Sequence, residues 1–231
     1  MKTIGIIGGL GPESTVDYYK GIIRTFQDTY VDLAYPEIVV YSADVNKLLK
    51  LVEAEEWKQL VDWLVARVRS VHSAGADFAV IGANTAHIVF DEVESRSPIP
   101  MLSIINETCR RAESLGLKKP GLMGTGFTMK SDFFQKPFYK KGITVVVPDE
   151  GDQKYIHDKL MSEIELGIIK DTTREGLLSI VKKMIEKESI DSVILGCTEL
   201  PLILERDEFG IPFLNTTAIH VDSIVEYCIT K

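Results

Sequence analysis

The chain has few of the residues that staple or metallate a fold. Among 231 residues there are 3 cysteines and 4 histidines, and they show no regular metal-ligand spacing. An odd, scattered set of cysteines argues against a disulfide framework and suits a reducing compartment. Long apolar runs are missing as well. No segment reaches the roughly 18 uninterrupted apolar residues of a membrane span, and the N-terminal MKTIGIIGG lacks the basic region and apolar stretch of a secretory signal. The expected setting is cytoplasmic, with no membrane partner. Basic charge is in deficit: 26 Lys and Arg stand against 34 Asp and Glu, a formal charge of -8. That balance argues against a nucleic-acid partner held through phosphates. It does not exclude a small anion, because backbone N–H groups at helix starts bind carboxylates whatever the net charge.

What is present is a repeated alternation. An apolar fraction of 45% and a charged fraction of 26% are those of a globular chain, and the length suits two domains of roughly 100 residues or one larger α/β domain. TIGIIGG (3–9), EIVVYS (37–42), DFAVIG (77–82) and IPMLSI (99–104) have the Ile and Val content of strands. Between them, EEWKQLVDWLVARVRSVHSAG carries apolar residues at threes and fours from Trp57 to Val71, the period of a helix packed on a sheet. The alternation restarts with PGLMG (120–124), ITVVVP (143–148), DSVILG (191–196) and IPFLNT (211–216). Helices are predicted over 129–140, 153–169, 173–188 and 199–206, with Thr172 and Glu175 at capping-box spacing.

The two series correspond. DFAVIG at 77 and DSVILG at 191 lie 114 residues apart, and IPML at 99 and IPFL at 211 lie 112 apart. This reads as two related α/β halves with mainly parallel sheets, each with its polar turns at the carboxyl ends of the strands. TTAIHVDSIVEYCIT is expected to form a helix that returns to the first half, giving domains of 1–102 plus 212–231 and 103–211. A continuous second domain is the alternative.

Chemistry concentrates at the matching turns. Cys197, in VILGCTEL, follows a strand, where helix N–H groups can acidify a thiol into a base or nucleophile; a buried packing cysteine is the competing reading. Asn84 and Thr85 of GANTAH hold the equivalent turn and serve either to bind a carboxylate or to cap the turn. Thr198 and Glu199 carry the same two readings. In GTGFTMKSDFF, Thr125 and Thr128 either bind ligand or cap. GGLGPEST is not a dinucleotide fingerprint; it forms a short-anion or structural turn, with Ser14 a candidate cap. Cys109 and Cys228 fall within helical patterns as packing residues, and no metal constellation is expected. Arg24, Lys47, Lys50 and Lys130 read as solvated charges.

Taken together, GIIGGLGPEST, SAD (42–44), GANTAH, GTGFTMKSDFF, LGCTELPLI and TTAIH resemble the aspartate/glutamate racemase superfamily over nearly the full length. The resemblance implies two pseudo-symmetric Rossmann-like α/β domains with an interdomain active-site cleft, and a homodimer. It also implies cofactor-independent racemisation of aspartate or glutamate. In that chemistry two thiols exchange the α-proton on opposite faces, hydrogen-bond donors stabilise the enediolate-like intermediate, and no cofactor takes part. Cys197 matches one thiol; Asn84, Thr85 and Thr198 match substrate-binding positions. Ala83 stands where the family has its other cysteine, and a methyl group moves no proton. Ala83 is then an engineered replacement that holds substrate in place, a natural variant recruiting another base or water, or the mark of a one-cysteine reaction. A one-cysteine decarboxylase or isomerase of small carboxylic acids, and a non-catalytic amino-acid-binding protein, are the alternative functions.

Overall fold

Runs of Ile and Val buried on both faces favour parallel ladders. In the computed structural model, which describes residues 1–29 and 35–230, the chain divides into two compact units, Met1–Glu107 with Thr217–Lys231, and Thr108–Thr216. In the first, β1 (Ile4–Gly8), β2 (Ile38–Ser42), β3 (Phe78–Ile81) and β4 (Met101–Leu102) form a parallel sheet in the order β2-β1-β3-β4. In the second, β5 (Pro120–Met123), β6 (Ser192–Leu195) and β7 (Phe213–Asn215) pair in parallel in that order.

The predicted strand ITVVVP is reduced to one parallel bridge, Val146 to Gly121, on the edge of β5 away from β6. Val146 N–H donates to Pro120 O and Leu122 N–H donates to Val146 O, at 2.9 and 2.7 Å. The next rung would need an N–H at residue 120, and proline has none. With that bridge counted, the second sheet repeats the strand order of the first.

The helices in the first unit are α1 (Pro12–Thr29), α2 (Val45–Glu53), α3 (Trp57–Ser73) and α4 (Phe90–Ser95). Next come α5 (Ile104–Ser114), α6 (Gly126–Lys130), α7 (Gln135–Lys140), α8 (Glu150–Ser162), α9 (Asp171–Glu188) and α10 (Thr216–Ile229). In α3, Leu60, Leu64, Val68 and Val71 are buried, as their spacing predicts. Tyr18, Ile22 and Phe26 of α1 and Val221, Ile224, Val225 and Cys228 of α10 close over Ile4, Ile6, Phe78 and Val80. Each such large side chain contributes roughly 1.5–3 kcal/mol by leaving water. The second core sets Ile156 and Leu160 of α8 and Leu177, Val181 and Met184 of α9 against Val193 and Leu195.

Several helix boundaries differ from the sequence expectation. The segment 129–140 is two short helices, and 199–206 is a single 3-10 turn, Leu200–Leu202. α8 begins early because Asp149 caps it, accepting from Asp152 N–H at 3.0 Å. The Thr172–Glu175 capping box does not form: α9 already starts at Asp171, behind Lys170, which makes no side-chain cap bond. Among the described residues, no helix is long and apolar enough to cross a membrane.

Candidate active site

The turn after β1 is closed by its own residues. Gly9 has a left-handed φ of 75°, and a Cβ on it would lie 2.4 Å from the Ala43 carbonyl oxygen, so a glycine is required. Its N–H donates to Thr15 Oγ1 at 2.8 Å. Ser14, expected as a cap, donates back to the Gly11 carbonyl at 2.8 Å, because the helix has already begun at Pro12.

The turns after β3 and β6 are built alike. Gly82 N–H donates to Ile7 O at 3.0 Å and Gly196 N–H to Met123 O at 2.7 Å, each reaching the neighbouring strand of its own sheet. Ala83 and Cys197 then follow their glycines, two residues beyond the strand ends, and both are 6% exposed.

In the first unit, Ala83 presents only a methyl group, while its carbonyl accepts from His87 Nδ1 at 2.8 Å. His87 Nε2 accepts from Ile104 N–H at 3.3 Å, so His87 is neutral with its proton on Nδ1. Burial holds its pKa at about 4. His220 completes the support: Nε2 donates to Leu102 O at 3.2 Å and Nδ1 accepts from the Tyr18 hydroxyl at 2.7 Å. Its pKa is held at about 3 by burial and then by the proximity of His87. The two imidazoles thereby pin both sides of Ser103, and one of them pins the Ala83 turn. Asn84 is buried and precedes the 3-10 helix Thr85–Val89 without a side-chain cap bond; Thr85 is half-buried at its first position.

In the second unit, Cys197 sits among carboxylates. Its Sγ lies 3.1 Å from Glu199 Oε2 and 3.3 Å from Glu165 Oε1, and its single S–H donates to one at a time. Thr198 Oγ1 donates to Glu199 Oε2 at 2.8 Å. Glu199 Oε1 is buried without a hydrogen-bond partner. The expectation of an acidified thiol is corrected here: burial, then the charges of Glu199 and Glu165, push it well above its ordinary value. A three-residue 3-10 turn supplies too little dipole to oppose two neighbouring anions. Glu165 is itself raised to about 7, by burial and then by Glu199.

Glu165 was not among the sequence candidates. It occupies the 3-10 turn Ile164–Leu166, which ends at Gly167 with φ 72°. Its neighbour Glu163 faces Lys159 at 2.7 Å, Lys170 at 3.1 Å and the Thr173 hydroxyl, and these donors hold Glu163 down at about 2. Three residues per turn in a 3-10 segment send positions two apart in different directions, which separates Glu163 from Glu165; the sequence SEIELG carries no alternation that shows this, and nothing in it names Cys197.

Thr125 caps α6, accepting from Thr128 N–H at 3.3 Å, and its hydroxyl lies 3.1 Å from that of Thr128. Thr128 is fully buried. Both belong to the second unit, with Thr198 and Cys197, whereas Ala83, Asn84 and Thr85 belong to the first. Cys109 and Cys228 are buried free thiols, and Cys228 donates to Lys2 O at 3.0 Å.

The same arrangement of elements recurs in known proteins. The sequence model of the family described as Asp/Glu/hydantoin racemase matches residues 7–224. The chain is 26% identical over 227 residues to the broad-specificity amino-acid racemase of Bacillus subtilis, covering 96% of each. A solved structure of a candidate Asp/Glu racemase from Yersinia pestis superposes with a TM-score of 0.90 at 32% identity. An aspartate racemase homologue from Pyrococcus horikoshii does so with 0.86 at 33%. Both comparisons cover 100% of each chain.

Proposed function

Because the chain belongs to the cofactor-independent Asp/Glu racemase superfamily, we propose that it exchanges the α-proton of a small dicarboxylic amino acid, aspartate or glutamate, with Cys197 as the acid/base on one face. The observation that carries this reading is the buried Cys197 thiol within hydrogen-bond reach of two carboxylates. The thiol rests protonated. To act as a base it passes its proton to Glu165, whose raised pKa of about 7 makes it an acceptor matched to neutral pH. The thiolate takes the α-hydrogen, leaving a planar carbanion conjugated with the substrate carboxylate. The resulting thiol, or one re-protonated through Glu165, returns a proton to the same carbon. The broad-specificity relative supports a side-chain tolerance wider than one acid.

Ala83 offers no acid/base on the other face of the two-thiol reaction, which leaves that face to water. A water is poorly matched to carbon-acid chemistry at neutral pH, so exchange with retention outruns inversion. Asn84, Thr85 and Thr198 are the proposed carboxylate contacts, through hydroxyl, amide and turn N–H groups. Thr125 and Thr128 complete the proposed set at the start of α6, where their hydroxyls lie against each other.

The test is deuterium incorporation at the α-carbon of L- and D-aspartate and glutamate in heavy water, with chiral analysis of the same samples. Wild-type protein is expected to exchange faster than it inverts, and Cys197→Ala to lose exchange at least a hundredfold while retaining its melting temperature within a few degrees. Equal exchange by Cys197→Ala would refute the assignment.

A further inference from the structure

Glu165, Cys197 and Glu199 each offer a ligand atom, and these atoms all lie within 4.8 Å of one another. We propose that they form a site for a thiophilic divalent cation of the Zn²⁺ class, which closes the thiol to proton exchange. Binding rests on the geometry of the second unit alone; the consequence for turnover rests on the function proposed above.

Three observations carry the site. The first is spacing. A tetrahedral Zn²⁺ with Zn–S of about 2.3 Å and Zn–O of about 2.1 Å sets sulfur and oxygen about 3.5 Å apart, and Cys197 Sγ lies 3.1 and 3.3 Å from its two carboxylate oxygens. Only a few tenths of an ångström of spreading are needed. The second is charge. Three acid groups cluster here, and among the described residues neither Glu165 nor Glu199 forms an ion pair with Lys, Arg or His; the cationic partners nearby in sequence, Lys159 and Lys170, are held by Glu163. The third is the orphan oxygen. Glu199 is 4% exposed, and its Oε1 is buried with no hydrogen bond, a desolvated acceptor left unmatched. Oε2 already accepts from Thr198 and lies against Cys197, and a cation bound by both oxygens of the Glu199 carboxylate would give Oε1 a partner as well.

The donor set selects the metal class. One thiolate with two carboxylates suits borderline Zn²⁺ and Cd²⁺, while Mg²⁺ and Ca²⁺ favour oxygen-only shells. Three protein ligands leave a fourth position for water or for a group of the amino-acid substrate. On binding, the Cys197 S–H bond breaks, the proton leaves to solvent and the sulfur lone pair forms the metal bond; no electrons are transferred.

The experiment titrates chelator-treated protein with Cd²⁺ and Zn²⁺ alone. Cd²⁺ is expected to raise one thiolate-to-metal ultraviolet charge-transfer band per chain, absent in Cys197→Ala and retained when Cys109 and Cys228 are both changed to Ser. Zn²⁺ affinity, read by competition with a chromogenic chelator, is expected to fall at least tenfold in Glu165→Gln and in Glu199→Gln, with circular dichroism confirming each fold. No band, a band that survives in Cys197→Ala, or unchanged affinity in both glutamine variants overturns the site. Exchange assays on the metal-free and Zn²⁺-loaded protein separate the two readings. Metal-free protein that never exchanges refutes the proposed function but not the metal site. Exchange that continues at full rate with Zn²⁺ bound upholds the site and removes Cys197 from the reaction. One equivalent of Zn²⁺ that stops exchange, reversed by chelator, supports both.

Discussion

Lowering the pH should unfasten the first unit through His87 and His220. Both are fully buried and neutral, with pKa values of about 4 and about 3, against about 6.5 for an exposed imidazole. Folded pKa values below the unfolded one mean that the unfolded chain binds protons first as pH falls. Stability is therefore full above about pH 6.5, declines through the window down to the folded values and levels off below them. At pH 5 each unfolded imidazole is almost fully charged while each folded one is still neutral, so each costs about 2 kcal/mol, or about 4 kcal/mol together. With a urea m-value of about 2 kcal/mol/M, the midpoint should drop by about 2 M between pH 8 and pH 5. Trp57 and Trp63 both lie on α3, so tryptophan emission during urea unfolding reports on this unit. His87→Gln and His220→Gln should each remove about half of the pH dependence. A flat wild-type profile, or a full slope surviving in both variants, would refute the account of two neutral imidazoles clamping Leu102 and Ile104.

Two other perturbations address the paired turns. Ala83→Cys supplies the missing acid/base and is expected to raise inversion of aspartate or glutamate by about a hundredfold or more relative to exchange; chiral chromatography with a circular-dichroism check of folding reads this, and a folded, substrate-binding variant without gain would remove Ala83 from the reaction. Gly196→Ala places a Cβ 2.7 Å from Leu122 Cδ1 and 2.9 Å from the Met123 carbonyl oxygen, so it should destabilise the second unit by about 1–3 kcal/mol and displace Cys197. A urea transition followed by circular dichroism, unchanged from wild type, would contradict that packing.

The sequence by itself determined the alternation of parallel strands and helices, the strands around Ile4–Gly8, Phe78–Ile81 and Ser192–Leu195, and the equivalence of the Ala83 and Cys197 turns. These properties are local: apolar runs, a period in α3, and glycine followed by polar turn residues. Even the loss of the Val146 strand has a local cause, the missing N–H of Pro120. Only the tertiary structure decided the surroundings of Cys197. Glu165 lies 32 positions away in sequence yet 3.3 Å away in space, and it reaches the thiol because α8 ends in a 3-10 turn that sends Glu163 toward its lysines and Glu165 the other way. The burial and paired carboxylates that raise the thiol, and the two imidazoles that pin the Ala83 turn, depend equally on through-space proximity. Proton affinity is set by the charges and solvent around a group; the sequence around Cys197 contains Glu199, but only folding adds Glu165 and the burial that excludes water.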